Sequence, residues 1–323
     1  MTIRAVVQGV GHYLPPKIVA NAAFEGTLDT TDEWIRSRTG IERRHFATDE
    51  ETTSVLATHA ARAALRHAGM GAQDIDAIVV ATSTPDLTFP SVATMVQCAL
   101  GMTRGFAFDI QAVCAGYIHA LGVANAMIQS GQARSMLVIG AETFSRLMDW
   151  EDRKTCVLFG DGAGAAVLVA QNGAGGIADR GILSTNLNAD GRYKNLLFVD
   201  GGVSSGRVGK LRMQGNALFR QAVDKLAQTA QAALADVGLD ASQVDWVVPH
   251  QANLRIIRGT AKKMGIPLER FILTLPDHGN TSAASVPLAL SVAVGEGKIK
   301  AGDVLLAEAI GGGLTWGAVV LRW

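Results

Sequence analysis

Cysteine is scarce in this 323-residue chain: Cys98, Cys114 and Cys156 are the whole complement. An odd, sparse count without regular spacing argues against a disulfide framework and points to a reducing compartment. No CxxC and no His/Cys cluster has zinc spacing, so no metal is expected. Excess charge of either sign is absent too, with 29 basic against 29 acidic residues. Nothing in that balance calls for nucleic acid or a membrane surface. Uncharged apolar runs never reach membrane-spanning length. The opening stretch Met1-Thr-Ile-Arg-Ala-Val-Val is too short in its apolar part for a signal peptide and reads as a strand. The expected location is the cytoplasm.

What is present is apolar and rich in small residues. Apolar residues make up 48% and charged residues 18%, the composition of a well-buried globular protein. The length suits two fused units sharing one large core. Two stretches match without gaps. Ala61, Ala63, Ala64, Leu65, Gly69, Ala72, Asp76 and Val79 correspond to Ala230, Ala232, Ala233, Leu234, Gly238, Ala241, Asp245 and Val248. Each reads as an alanine-rich helix, a glycine cap, a short loop and a buried strand. The following units also correspond. Cys114–Ser130 and Ser282–Val294 read as small-residue helices, each followed by an apolar strand and later by a glycine-rich turn and another strand. The chain is therefore an internal duplication, residues 1–171 and 172–323, with Cys114 and Ser282 at roughly equivalent helix starts. Such halves pack about a pseudo-dyad, with the small-residue helices between two sheets. Gln171 to Gly209 reads as the connection, with strands and turns of its own.

Three residues stand out chemically. Cys114 lies where an apolar strand gives way to a helix, and the positive end of a helix dipole favours thiolate over thiol. A small buried side chain is the other reading of that position. Cys98, inside an expected helix, and Cys156, at the start of an expected strand, read as structural. His250 ends the apolar run Val244–Pro249, where open α/β sheets present ligand groups; a core histidine is the alternative. Asn280 sits in a glycine-flanked turn before a helix, free to face a site if Thr281 or Ser282 caps that helix, or itself the cap. A thiol, an imidazole and an amide in these settings point to acyl transfer.

Six ordered stretches carry a family resemblance. They are Asp32–Gly40, Ala112–Gly116, Phe159–Gly164, Pro249–Arg255, His278–Ser285 and Gly311–Gly317. Together they resemble the type III ketoacyl-carrier-protein synthases of the thiolase superfamily over the full length. The resemblance implies an α/β, thiolase-like duplicated fold in five layers, αβαβα. It implies a decarboxylative Claisen condensation of a short acyl-CoA with malonyl-carrier protein through an acyl-Cys114 intermediate, which initiates fatty-acid synthesis. A secondary-metabolism condensing enzyme using malonyl-CoA or an unusual starter is the alternative. His250 and Asn280 would hold the enolate oxygen, and the N–H groups of Cys114 and Gly312 the acyl oxyanion. Trp34 would stack on the CoA adenine with Arg153 opposite, Arg38 would meet the phosphates, and Gly215, Phe219, Ala252 and Asn253 would line the pantetheine tunnel. Gln251, Ala252, Asn253, Leu254 and Arg255 would touch the carrier protein, with Arg258, Lys262 and Lys263 extending a basic face. Phe89, reaching across a homodimer, and Phe159 and Ile310 would shape the acyl pocket. Ile310 replaces a Phe of acetyl-specific members, and Lys154 replaces a common Gly beside the adenine site. No cofactor is implied, acyl-CoA being a substrate.

Overall fold

The structure, a computed structural model, describes residues 2–323. The first part of the chain runs β1 (Thr2–Tyr13), β2 (Lys17–Ala20), α1 (Asp32–Thr39), β3 (Arg43–Phe46), α2 (Thr53–Ala68) and β4 (Ala77–Ala81). It continues through α3 (Val92–Ala99), β5 (Phe106–Ile110), α4 (Gly116–Gln129), β6 (Ser135–Thr143) and β7 (Asp161–Gly173). The second part runs β8 (Gly181–Ala189), β9 (Leu197–Val199), β10 (Leu211–Met213), α5 (Gly215–Ala235), β11 (Trp246–Pro249) and α6 (Leu254–Met264). It ends with α7 (Leu275–His278), α8 (Ser285–Gly295), β12 (Val304–Gly311) and β13 (Thr315–Arg322).

The sheets carry the duplication. One has the order β1-β7-β6-β4-β5 and the other β11-β12-β13-β8. Read from matching edges, both go antiparallel, antiparallel, parallel. The offset that aligns Ala61 with Ala230 also aligns the register pair Val79–Val138 with Val248–Ala307. The second copy of β5 has shrunk to a single parallel bridge between Val247 and Phe271. β8, the counterpart of β1, lies inside what the sequence marked as connection. β7 runs to Gly173, two residues past the expected boundary at 171.

The central helices explain the layering. α4 and α8 are buried on nearly every side, and a helix apolar all round belongs in a core. Both touch the two sheets, while α2 and α3 cover the outer face of one sheet and α5 covers that of the other, with α6 packed on α5. This is the expected five-layer α/β arrangement. Close approach depends on missing side chains. A Cβ on Gly164 of β7 would lie 2.5 Å from the backbone nitrogen of Leu288 in α8. The obstruction is backbone and cannot rotate away. Gly164→Ala is expected to cost about 1–3 kcal/mol or more by overpacking, read as a lowered urea midpoint at unchanged slope.

Two expectations need correction. Cys156 lies in a buried turn, not a strand. The counterpart of Cys114 is Ala283 rather than Ser282. The two 3-10 turns are Val113–Ala115 and Ser282–Ala284, and their first residues share a left-handed backbone, φ 49° at Val113 and 50° at Ser282. Ser282 thus pairs with Val113, one residue before the thiol.

Candidate active site

Cys114 is 3% exposed and sits in the turn between β5 and α4. The β-branched Val113 is held in a backbone region such residues avoid. Neighbours fix it there. The Thr315 hydroxyl donates to the carbonyl of Ala112 at 2.9 Å. Gly311 lies so close that a Cβ on it would be 2.6 Å from the Cys114 nitrogen. The expected resting thiolate is not what this environment favours. Burial pushes the Cys114 thiol up to about 12, against the opposing pull of the Ser282 hydroxyl and its own N–H. Desolvation of a charge outweighs two local hydrogen bonds, so this environment favours the neutral thiol.

The sequence missed Glu142. It is fully buried at the end of β6 and accepts from the Thr84 hydroxyl at 2.6 Å and the Ser83 N–H at 3.1 Å. Burial still raises its carboxyl to about 7. The Ser282 Oγ lies 3.1 Å from Glu142 Oε1 and 3.4 Å from Cys114 Sγ. A glutamate in an otherwise apolar strand, Ser135-Met-Leu-Val-Ile-Gly-Ala-Glu142, was the available signal.

Asn280 is clamped from three sides. Its N–H donates to the Leu158 carbonyl at 2.9 Å, and its carbonyl accepts from the Gly160 N–H at 3.0 Å. Its side-chain Oδ1 accepts the Ser282 N–H at 2.9 Å, which leaves the amide NH₂ as the free, donating end. His250 follows β11, with its N–H donating to the Glu308 carbonyl at 2.8 Å. Its Nδ1 is buried without a partner, which leaves Nε2 for the cavity. Burial lowers the imidazole to about 3, so it is neutral at neutral pH.

Cys114, His250 and Asn280 line one cavity of about 810 Å³. Trp34, Arg38, Gly215, Phe219, Ala252 and Asn253 line it too, as do Phe159, Ile310 and Lys154. Among the other wall residues, the sequence had not singled out Arg220, Met213 or Leu197. Arg153 does not line the cavity. Its guanidinium stacks 5.2 Å from the centre of the Trp34 ring and pairs with Asp29 at 2.8 Å. Gly312 is not on the wall either and packs against the Leu197 carbonyl. Phe89 is 81% exposed and away from the cavity of its own chain.

Gln251 is a correction, since it is 1% exposed and offers no surface to a partner protein. Its amide donates to the Pro249 and Ile272 carbonyls and accepts from the N–H groups of Thr274 and Leu275. It joins the His250 loop to the segment leading to Asn280. Asn253 caps α6 by accepting the Arg255 N–H at 2.8 Å, and its amide donates to the Arg38 carbonyl at 3.2 Å. Leu254 packs against Gly40 at the end of α1. Arg255, Arg258, Lys262 and Lys263 are exposed along α6, with Lys263 paired to Asp224. Among the described residues no group of three or more His, Cys, Asp or Glu could hold a metal ion, and no helix is long and apolar enough to cross a membrane.

Known proteins share this architecture and sequence. Residues 108–191 match the family described as 3-oxoacyl-(acyl-carrier-protein (ACP)) synthase III, and residues 234–323 match its C-terminal counterpart. The chain is 70% identical over 323 residues to the β-ketoacyl-(acyl-carrier-protein) synthase III of Roseobacter denitrificans, with all of both chains covered. The protein of that name from Ruegeria pomeroyi is equally similar, 70% over 323 residues and all of both chains. Among solved structures, the 3-oxoacyl-(acyl-carrier-protein) synthase III of Aquifex aeolicus superposes with a TM-score of 0.93 at 45% identity, covering 99% of this chain and 100% of that one. A priming β-ketosynthase of a polyketide biosynthetic pathway superposes with a TM-score of 0.92 at 36% identity, covering 99% and 96%.

Proposed function

Since the chain belongs to the 3-oxoacyl-(acyl-carrier-protein) synthase III family, we propose that it condenses a short acyl-CoA primer with malonyl-acyl-carrier protein through an acyl-Cys114 intermediate. The supporting observation is the shared cavity: one buried thiol faces two neutral hydrogen-bond donors, His250 and Asn280. Cys114 attacks the acyl-CoA thioester and releases CoA. Malonyl-carrier protein then loses carbon dioxide, and the carbanion so formed attacks the acyl group on Cys114. Charge develops on the malonyl thioester oxygen during decarboxylation. Two fixed donors aimed at that oxygen stabilise the enolate, and neither carries a negative charge that would oppose it.

The cavity wall supports the substrate assignments. Trp34, with Arg38 5.8 Å from its ring centre, forms the platform for the CoA adenine. The Arg153 guanidinium lies 5.2 Å from the same ring centre, beside the proposed adenine site. Gly215, Phe219 and Ala252 line the pantetheine path, with Arg255 stacked 5.5 Å over Phe219 at the mouth. The exposed basic side chains of α6 suit an acidic carrier protein. Phe159, stacked on Phe144 with ring centres 5.0 Å apart, and Ile310 bound the acyl end. Exposed Phe89 and Leu87 suit a homodimer contact. The cytoplasm is the corresponding location.

A primer panel tests the reading. Short acyl-CoAs are expected to leave one acyl mass on Cys114, and chain extension is expected to require malonyl-carrier protein. Equal extension with free malonyl-CoA would instead support a condensing enzyme of secondary metabolism. No acyl mass with any primer would remove the synthase assignment.

A further inference from the structure

The neutral thiol leaves a question of where its proton goes. His250, held near 3 by burial, is a poor base. Cys114 Sγ has one side-chain hydrogen-bond partner, the Ser282 hydroxyl at 3.4 Å. That hydroxyl also reaches Glu142 Oε1 at 3.1 Å. All three residues are buried, and the chain of atoms joins the two halves of the duplication.

We propose that Ser282 is a further catalytic residue and Glu142 its positioning partner, together a proton relay that carries the Cys114 proton away during acylation and returns it during condensation. This rests on Cys114 being the acylated nucleophile. The Ser282 hydroxyl is within reach of both Cys114 Sγ and Glu142 Oε1. The relay runs when it turns from the sulfur to donate to the Glu142 carboxylate, which leaves its oxygen to accept from the thiol. As the sulfur lone pair forms the bond to the acyl carbon, the S–H proton passes to Ser282 Oγ and the serine proton to Glu142 Oε1. The C–S bond to CoA breaks, and CoA leaves as its thiolate, to be protonated by water. In the second step the carbanion attacks acyl-Cys114, the tetrahedral centre collapses and the Cys114–acyl bond breaks. The departing sulfur takes a proton from Ser282, which is refilled from Glu142. Glu142 thus holds one proton between the two half-reactions, and no oxidant or further reactant is needed.

Two features support this assignment. A carboxyl raised to about 7 is a much stronger base than an ordinary carboxylate and is matched to neutral pH. The relay also explains how a thiol raised to about 12 can react: the proton leaves as the new bond forms, so no free thiolate accumulates. The left-handed backbone at Ser282 makes glycine the cleanest deletion of the hydroxyl, because it introduces no new strain.

The test compares Ser282→Gly, Glu142→Gln and Glu142→Asp. Single-turnover acylation by acetyl-CoA is followed by intact mass, Cys114 alkylation by iodoacetamide at pH 7, and CoA binding by calorimetry. Loss of the relay is expected to slow acylation and alkylation about 100-fold in Ser282→Gly and Glu142→Gln. Glu142→Asp should recover at least about tenfold of that loss, and CoA affinity should stay within about threefold in all three. Wild-type acylation and alkylation rates in either deletion variant overturn the relay. So does a loss that Glu142→Asp fails to recover, or one matched by an equal loss of CoA binding, since both indicate a purely structural role. The relay fails alone if wild-type Cys114 is acylated while the variants react normally; failure of wild-type Cys114 to acquire the acyl mass sinks the nucleophile assignment as well.

Discussion

Cys114→Ala is expected to keep the fold and abolish acyl-enzyme formation. The substitution removes one sulfur from a site that is 3% exposed, and alanine fits where cysteine did. Ser282 loses a partner but keeps Glu142 at 3.1 Å, so no hydroxyl is stranded. The thermal midpoint should therefore move little. The chemistry has no substitute, because Cys156 does not itself line the cavity, although its turn neighbours Lys154, Val157 and Leu158 do, and Cys98 is exposed on α3. Removal of a nucleophile in well-studied hydrolases costs on the order of 10⁶-fold in turnover. Intact-mass measurement after incubation with acetyl-CoA should show no adduct. An acyl mass that survives the substitution would place the nucleophile elsewhere.

His250→Ala and Asn280→Ala should separate the two half-reactions. Both variants retain Cys114, Ser282 and Glu142 and should still acylate. Both lose a donor aimed at the enolate oxygen, and each loss is expected to reduce decarboxylation of malonyl-carrier protein by about 10²–10³-fold, the cost of removing one oxyanion donor. The donors serve one oxygen, so the double variant should lose less than the product of the single effects. Carbon dioxide release from labelled malonyl-carrier protein measures this directly. Normal release in both variants would remove their proposed role. Asn280→Asp is the sharper control for charge: it keeps size and shape while placing an acceptor, and a negative charge when ionised, where the enolate forms.

Much of this was legible in the chain because the duplication is written in short-range terms. Alanine-rich helices, glycine caps and buried strands announce themselves by spacing, and their order repeats. Cys114, His250 and Asn280 each stand at the end of such a unit, and the structure brings all three to one cavity. The reading of Gln251 failed because its neighbours in sequence face the cavity or solvent while its own side chain turns inward to four backbone groups. β8 lies in the stretch read as a connection with strands of its own, and its polar run, Ser184-Thr-Asn-Leu-Asn188, gave no sign that it belongs to the second sheet. It pairs with β13 nevertheless.

The sequence by itself determined the two-fold repeat, the alternation of helix and strand, and the residue types able to perform acyl transfer, since each depends on local propensity and spacing. Only the tertiary structure decided the burial that disfavours the thiolate, the contact of Cys114 with Ser282 and that of Ser282 with Glu142. Those depend on how much water is excluded and on which side chains the two halves bring within 3.4 Å across the seam. Desolvation and through-space contact are properties of the packed interior, and residues 140 positions apart acquire them only when the halves close on each other.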